Sequence, residues 1–309
     1  MRDHVINELV HYFERDDNAF LITGDLGYKV LDEVKDRFNN RFLNVGIAEQ
    51  NMTSIAAGLA KEGNCVFTYS IGNFSTLRCI EQIRNDICYP KLHVVILAVG
   101  SGFAYGNQGV THHATEDLSI LRSLPNMMVF SPGDPCEAVE AFHSAINYSG
   151  PSIIRLARNK DLSFHENPVS NILHLQKFYE AGNDITILTT GTALKEGQKL
   201  YHMLTNERLD VGLYSVPTIK PIDKESIVSI ARKSKIIVTI EEHNIIGGIG
   251  SAVAEIVAEL FGLRSKLIRF GLDDVFSSAV GDEDYLLDYY GISAKRVFDK
   301  INECFKGDI

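Results

Sequence analysis

The chain has 309 residues, room for two domains that each bury a core, and its 45% apolar and 23% charged content is that of a globular protein. A net charge of −10 leaves no basic surplus for displacing counterions, which excludes general nucleic-acid binding. No run approaches the ~18 apolar residues of a membrane span, and the charged start Met1-Arg-Asp-His carries no export signal, so a cytoplasmic protein with no membrane partner is expected.

In chain order, residues 4–14 have helical spacing, with Val5, Leu9 and Tyr12 on one side. Ala19–Thr23 reads as a short buried strand ending at Gly24-Asp25. A second apolar run ends at Val45, Gly46 turns the chain, and a small-residue helix follows with Ile47, Ile55 and Leu59 on one face. Cys65–Tyr69 is a strand. Leu77–Ile87 has helical period, with Ile80, Ile83 and Ile87 facing inward. Leu92–Val99 is almost wholly apolar, as a strand covered on both faces must be. Met127–Phe130 and Ser152–Leu156 continue the sheet around a helix over 135–147.

The polar stretch Asn159–Asn183, with Pro168, reads as a link between domains. A second alternating unit follows, with strands at Asp184–Thr190, Val211–Val216, Lys235–Ile240 and Ser265–Phe270. Its helices fall at 193–205, 224–233 and 250–261. Strands alternating with helices predict an α/β fold of two doubly wound, mostly parallel-sheet domains. The divisions are 1–165, a connector over 166–183, and 184–309.

The cysteines at 65, 79, 88, 136 and 304 are odd in number, scattered and without a CxxC pair, which fits reduced thiols and no zinc template. Gly100-Ser-Gly-Phe-Ala-Tyr-Gly106 follows a strand but leads into Asn107-Gln-Gly-Val-Thr-His-His113. No helix N-terminus stands behind it to hold a pyrophosphate, so a dinucleotide reading is rejected. His112 and His113 lack a third ligand at metal spacing. Glu49 opens the small-residue helix and is either an acid complementing the helix dipole or a buried acid facing a cofactor. Asp25 suits a turn as well as a site. Phe74 is by default a core aromatic. Arg158, at a strand C-terminus, is a surface arginine or a phosphate contact.

The stretch Asn44-Val-Gly-Ile-Ala-Glu-Gln-Asn-Met52 resembles the pyrimidine-domain motif of transketolases. Further segments match in the same order: Gly106–His113, Glu116-Asp-Leu, Leu121–Pro125, Ser131-Pro-Gly-Asp134, Pro151–Arg158, Thr218-Ile-Lys-Pro-Ile-Asp223 and Glu241–Gly250. Each is weak alone, but their joint order and spacing are specific and span nearly the whole chain. The resemblance implies a pyrimidine-binding domain, a transketolase C-terminal domain, and thiamine diphosphate as cofactor. Glu49 would hold the aminopyrimidine and donate to its ring nitrogen, and Phe74 would stack on it, with Ser75 competing for that register. Asp25 matches an acidic position near the cofactor. His112 would reach the cofactor and move protons. His113, Gln108, Arg158 and Arg2 would face the substrate, Arg158 as the phosphate-binding arginine.

Two departures put the usual pentose phosphates in doubt: Gln108 stands where the family has Asp, and Gly100 where it tends to have His. The family's Gly-Asp-Gly…Asn magnesium motif is missing, since Gly24-Asp25 is followed by Leu26. The expectation is therefore the C-terminal subunit of a split transketolase. A separate N-terminal subunit would bind the diphosphate and Mg2+ in an alpha2beta2 heterotetramer, acting on a sugar phosphate or related sugar. The alternatives are the beta subunit of a 2-oxoacid dehydrogenase, a deoxyxylulose-phosphate-synthase-like enzyme, or a non-catalytic scaffold that kept the fold.

Overall fold

In the computed structural model, residues 1–158, 163–263 and 265–307 are described; the first residues of the polar link, 159–162, lie outside them. The first sheet contains β1 (Ala19–Thr23), β2 (Phe42–Asn44), β3 (Cys65–Ile71), β4 (Val94–Val99), β5 (Met128–Phe130) and β6 (Ser152–Leu156). The second contains β7 (Gln176–Tyr179), β8 (Ile185–Thr189), β9 (Val211–Ser215), β11 (Ile236–Asn244) and β12 (Lys266–Leu272). One strand of the second half, β10 (Thr218–Lys220), leaves it and pairs antiparallel with β5, giving the seven-stranded order β10-β5-β6-β4-β3-β1-β2. The five-stranded order is β12-β11-β8-β9-β7. All other pairings are parallel except β7 with β9.

Alternation along each strand explains the layers. In β4, Val95, Leu97 and Val99 join a core built with Val5, Leu9 and Phe142 of the helices Arg2–Phe13 and Pro135–Asn147. Its other residues, Val94, Ile96 and Ala98, join Met52 and Ala56 of the helix Glu49–Lys61 on the opposite face. The second sheet is likewise covered on both sides, by Leu200, Leu204, Val297 and Ile301 on one face and by Ile227, Ile230, Val253 and Ile256 on the other. The doubly wound α/β class expected from the alternation is the observed one. Among the described residues no helix is long and apolar enough to cross a membrane.

Three local expectations are corrected. The polar link contributes β7, a four-residue strand whose alternation is too short to stand out in the sequence. The segment read as one helix from Leu77 is a chain of short turns from Gly72, closing in a wide i→i+5 turn over Ile83–Cys88. Such widened turns recur at functional sites, because they re-aim side chains that a regular helix would fix. Thr218–Lys220, quoted above only as part of a motif, is the sheet-edge strand β10. Cys65, Cys79, Cys88 and Cys136 are free thiols, as expected, and the first three are buried.

A polar seam closes the two domains on each other. Arg155 Nε pairs with Asp117 at 2.9 Å, both side chains at most 2% exposed, and Arg155 Nη2 donates to the Glu242 carbonyl at 3.1 Å. The Glu242 carboxylate accepts from the Phe103 amide at 3.0 Å and from the Thr192 hydroxyl. Phe103 is itself fully buried in the second domain's core and stacks on Tyr290 at 5.7 Å. The loop after β4 is thereby anchored on the far domain.

Candidate active site

The strands β6, β4, β3 and β1 are parallel neighbours, so their C-terminal loops open on one rim, where open α/β sheets place ligands. That rim gathers most of the candidate residues. Glu49 comes from the turn after β2, Phe74 from the turn after β3, His112 from the loop after β4, and Arg158 from the end of β6.

Glu49 is the first residue of its helix and is 2% exposed. Gly46, at φ +76°, makes the sharp entry that a side chain would resist. Gly24 faces the acid, since a Cβ there would come into van der Waals contact with Glu49 Cγ at 3.4 Å. Asn44 ties the two loops over it: its Oδ1 accepts from the amides of Asp25 and Gly46, each at 3.0 Å, and its Nδ2 donates to Asp25 at 3.0 Å. Asp25 is thus an exposed turn residue at φ 59°, bound to Asn44.

Arg78 completes the arrangement. Its Nη1 lies 2.7 Å from Glu49 Oε2, and its guanidinium covers the Phe74 ring at 4.8 Å. Phe74 is half-buried and meets His112 edge-on, ring centroids 5.1 Å apart. Ser75 is buried and bonds the Ile71 carbonyl at 3.1 Å, so Phe74 supplies the ring on this face. His112 lies 6.3 Å from the Tyr105 ring, and Arg158 lies over the other side of the chain of rings, 5.2 Å from Tyr105. The result is a continuous string: Glu49, Arg78, Phe74, His112, Tyr105, Arg158.

Arg2, Gln108, Tyr105 and Arg158 share the lining of a cavity of about 190 Å³ at one end of this string. Arg2 also pairs with Asp3 at 2.7 Å. Arg158 and Lys195 border a neighbouring cleft of about 410 Å³ between the domains. A roomier cleft of about 640 Å³, lined by His4, Cys136 and His143 among others, contains none of the string residues, and size alone does not make it the site. His113 departs from the group. It is 1% exposed, packs edge-on against Phe103 and sits 3.4 Å from the Gly106 carbonyl; burial pulls its pKa down, favouring the neutral ring.

The residues fit the cofactor that the sequence resemblance implies. A buried carboxyl and a half-buried aromatic ring, joined by the Arg78 guanidinium that lies on both, are the groups a planar, basic heterocycle needs: one acid at its edge and one apolar face. Arg78 and Tyr105 were missed by sequence reasoning. Arg78 could have been found from its spacing, four residues beyond Phe74, which puts both on one helical face. Tyr105 carries no such signal, because its neighbours come from three different loops.

Two family models match the chain: the transketolase pyrimidine-binding domain over residues 1–161 and the transketolase C-terminal domain over residues 176–297. A putative transketolase C-terminal section from Methanocaldococcus jannaschii is 36% identical, covering 99% of this chain and 96% of that protein. The 6-deoxy-6-sulfo-D-fructose transketolase subunit SqwH of a Clostridium species is 32% identical, covering 98% and 94%. A solved split-gene transketolase, an inactive beta4 tetramer, superposes with TM-score 0.86 at 34% identity, covering 98% of this chain and 96% of that one. 1-Deoxy-D-xylulose-5-phosphate synthase from Natranaerobius thermophilus is 33% identical, but this chain spans only 43% of its length. With both domains matched in order and near-complete coverage of subunit-sized relatives, the chain belongs to the transketolase family and is built as the C-terminal subunit of a split transketolase.

Proposed function

We propose that this chain supplies the pyrimidine-holding half of a thiamine-diphosphate site and works with a separate N-terminal subunit that binds the diphosphate and Mg2+, two copies of each chain forming the enzyme. The carrying observation is Glu49, 2% exposed, beside the half-open ring of Phe74. When bound, the cofactor supplies the electron sink for moving a two-carbon ketol unit from a ketose to an aldehyde.

The roles of this chain's residues follow from their positions. Glu49 holds a proton at the pyrimidine ring nitrogen and Phe74 covers the ring's face. His112, next to Phe74, takes and returns protons at the reacting oxygen. Arg158 and Arg2 hold a terminal oxyanion of the sugar, and Gln108, exposed on the same cavity, reads a sugar hydroxyl. Asp25 acts through Asn44 on the loop above Glu49. His113, buried behind them, fixes the loop from inside. The free thiols of Cys65, Cys79, Cys88 and Cys136, among the described residues, suit a reducing, cytoplasmic setting. The relatives named as transketolase subunits support the need for a partner.

The test is reconstitution. The chain alone should show no ketol transfer, and adding the N-terminal subunit with thiamine diphosphate and Mg2+ should restore it. Full turnover by the isolated chain would reject the two-chain reading. Pyruvate decarboxylation by the pair, without ketol transfer, would favour the synthase-like alternative.

A further inference from the structure

Tyr105 lines the cavity shared by Arg2, Gln108 and Arg158, yet no motif assigns it a role. Its ring rests so closely on Gly100 that a Cβ there would lie 2.1 Å from the ring's Cε2. A side chain at 100 and the Tyr105 ring therefore exclude each other, and Gly100 also takes φ +90°, a conformation glycine tolerates best. The next residue, Gly106, is pressed on the second domain, where a Cβ would meet the Gly281 carbonyl oxygen at 2.4 Å. With Phe103 locked in that domain's core, the loop holding Tyr105 is fastened at both ends. The ring is a floor carried on that fastened backbone and laid against Gly100. Over it stands the Arg158 guanidinium, 5.2 Å away, and beside it His112, 6.3 Å away.

We propose that Tyr105 is the positioning residue of the substrate pocket: its ring holds the exposed Arg158 guanidinium in place over the cavity shared with Arg2 and sets the spacing between the bound oxyanion and His112. The inference rests on the reading of Arg158 as the substrate anchor. An unrestrained arginine samples many rotamers, and a cationic side chain stacked on a fixed aromatic face keeps its donors aimed. The pocket so formed takes a short sugar whose far end carries a tetrahedral oxyanion. Spacing is set by the width of one aromatic ring, so the substrate's reach from reacting carbon to oxyanion is what Tyr105 selects.

The full-length chain can be titrated with inorganic phosphate by calorimetry, and with methanesulfonate in parallel, the two arms separating a phosphate ester from a sulfonate as the matching group. Tyr105→Ala should weaken binding of the preferred anion by about two- to fivefold, and Tyr105→Phe, which keeps the ring, should bind it measurably more tightly than Tyr105→Ala and close to wild type. Arg158→Ala serves as the control for the underlying reading. If Arg158→Ala or wild type shows no anion binding that depends on residue 158, the anchor reading fails and the proposal with it. If Arg158→Ala loses binding but Tyr105→Ala does not, the anchor stands and Tyr105's role is overturned; Tyr105→Phe as weak as Tyr105→Ala overturns it too. Should Tyr105→Ala not fold, the Tyr105 ring resonances of the wild-type chain, assigned by difference from Tyr105→Phe, must shift saturably with the anion. An unmoved ring at saturation overturns the proposal.

Discussion

The carboxylate of Glu49 is paired at 2.7 Å with Arg78, and the same guanidinium covers the ring of Phe74 at 4.8 Å. One exposed side chain thus lies across both groups that the pyrimidine would use. Arg78 is 47% exposed while Glu49 is 2% exposed, so the pair is open to solvent from one side only.

That asymmetry sets the size of the first expected effect. Because Arg78 keeps much of its hydration, Arg78→Ala should cost only about 1 kcal/mol of stability. A double-mutant cycle with Glu49→Gln, read by urea denaturation, should return a coupling of about 0.5–1 kcal/mol. Strict additivity of the two substitutions would show that the pair contributes nothing.

Glu49→Gln replaces the carboxyl proposed to donate to the pyrimidine while keeping shape and burial. Ketol transfer by the reconstituted enzyme should fall by at least about 100-fold. The unfolding midpoint should hardly move, since the lost partner, Arg78, can return to water. Near-normal rates would dismiss Glu49 as the acid.

The domain seam should respond to alkali. Burial first, and then the charge of Glu283, raises the Glu242 carboxyl from 4.5 to about 8. A folded-state value above the unfolded one means the folded chain binds the extra proton, so the contribution of Glu242 to stability is fully present below pH 4.5 and is lost as pH rises through 8. Glu242→Gln mimics the protonated form, accepting from the Phe103 amide and donating to Thr192. Relative to this variant, wild type should lose up to about 1.4 kcal/mol per pH unit across that window. Parallel stability curves for the two proteins would contradict the assignment.

Phe103 carries the rim loop into the second domain. It is fully buried and stacked on Tyr290, so Phe103→Ala should cost about 3–5 kcal/mol and loosen the loop of Tyr105 and His112. Hydrogen exchange should report faster opening of residues on that loop than in the strand Val94–Val99 before it. Unchanged exchange there would mean the loop holds its shape without the anchor.

Much of this molecule could be read from the chain. The all-apolar stretch ending at Val99, the alternation of strands and helices, and the turn at Gly46 before Glu49 are local patterns with local causes, and each appears in the structure where the sequence placed it. The four-residue strand Gln176–Tyr179 escaped because so short a run has no period to detect, and its pairing with Val211–Ser215 is what makes it a strand. The transfer of Thr218–Lys220 to the first sheet escaped for the same reason: only the partner strand, ninety residues earlier in the chain, decides it.

The sequence by itself settled the fold class, because alternating strands and helices are local patterns, whereas Glu49, Phe74, His112 and Arg158 stood out only through the ordered segments that resemble transketolases. It could not say that Arg78 would lie across Glu49 and Phe74, that Tyr105 would fill the space above Gly100, or that His113 would turn inward beside His112. Those outcomes depend on distances between loops that the chain visits far apart, and such distances exist only once the sheet has set its strand order and the second domain has clamped the rim.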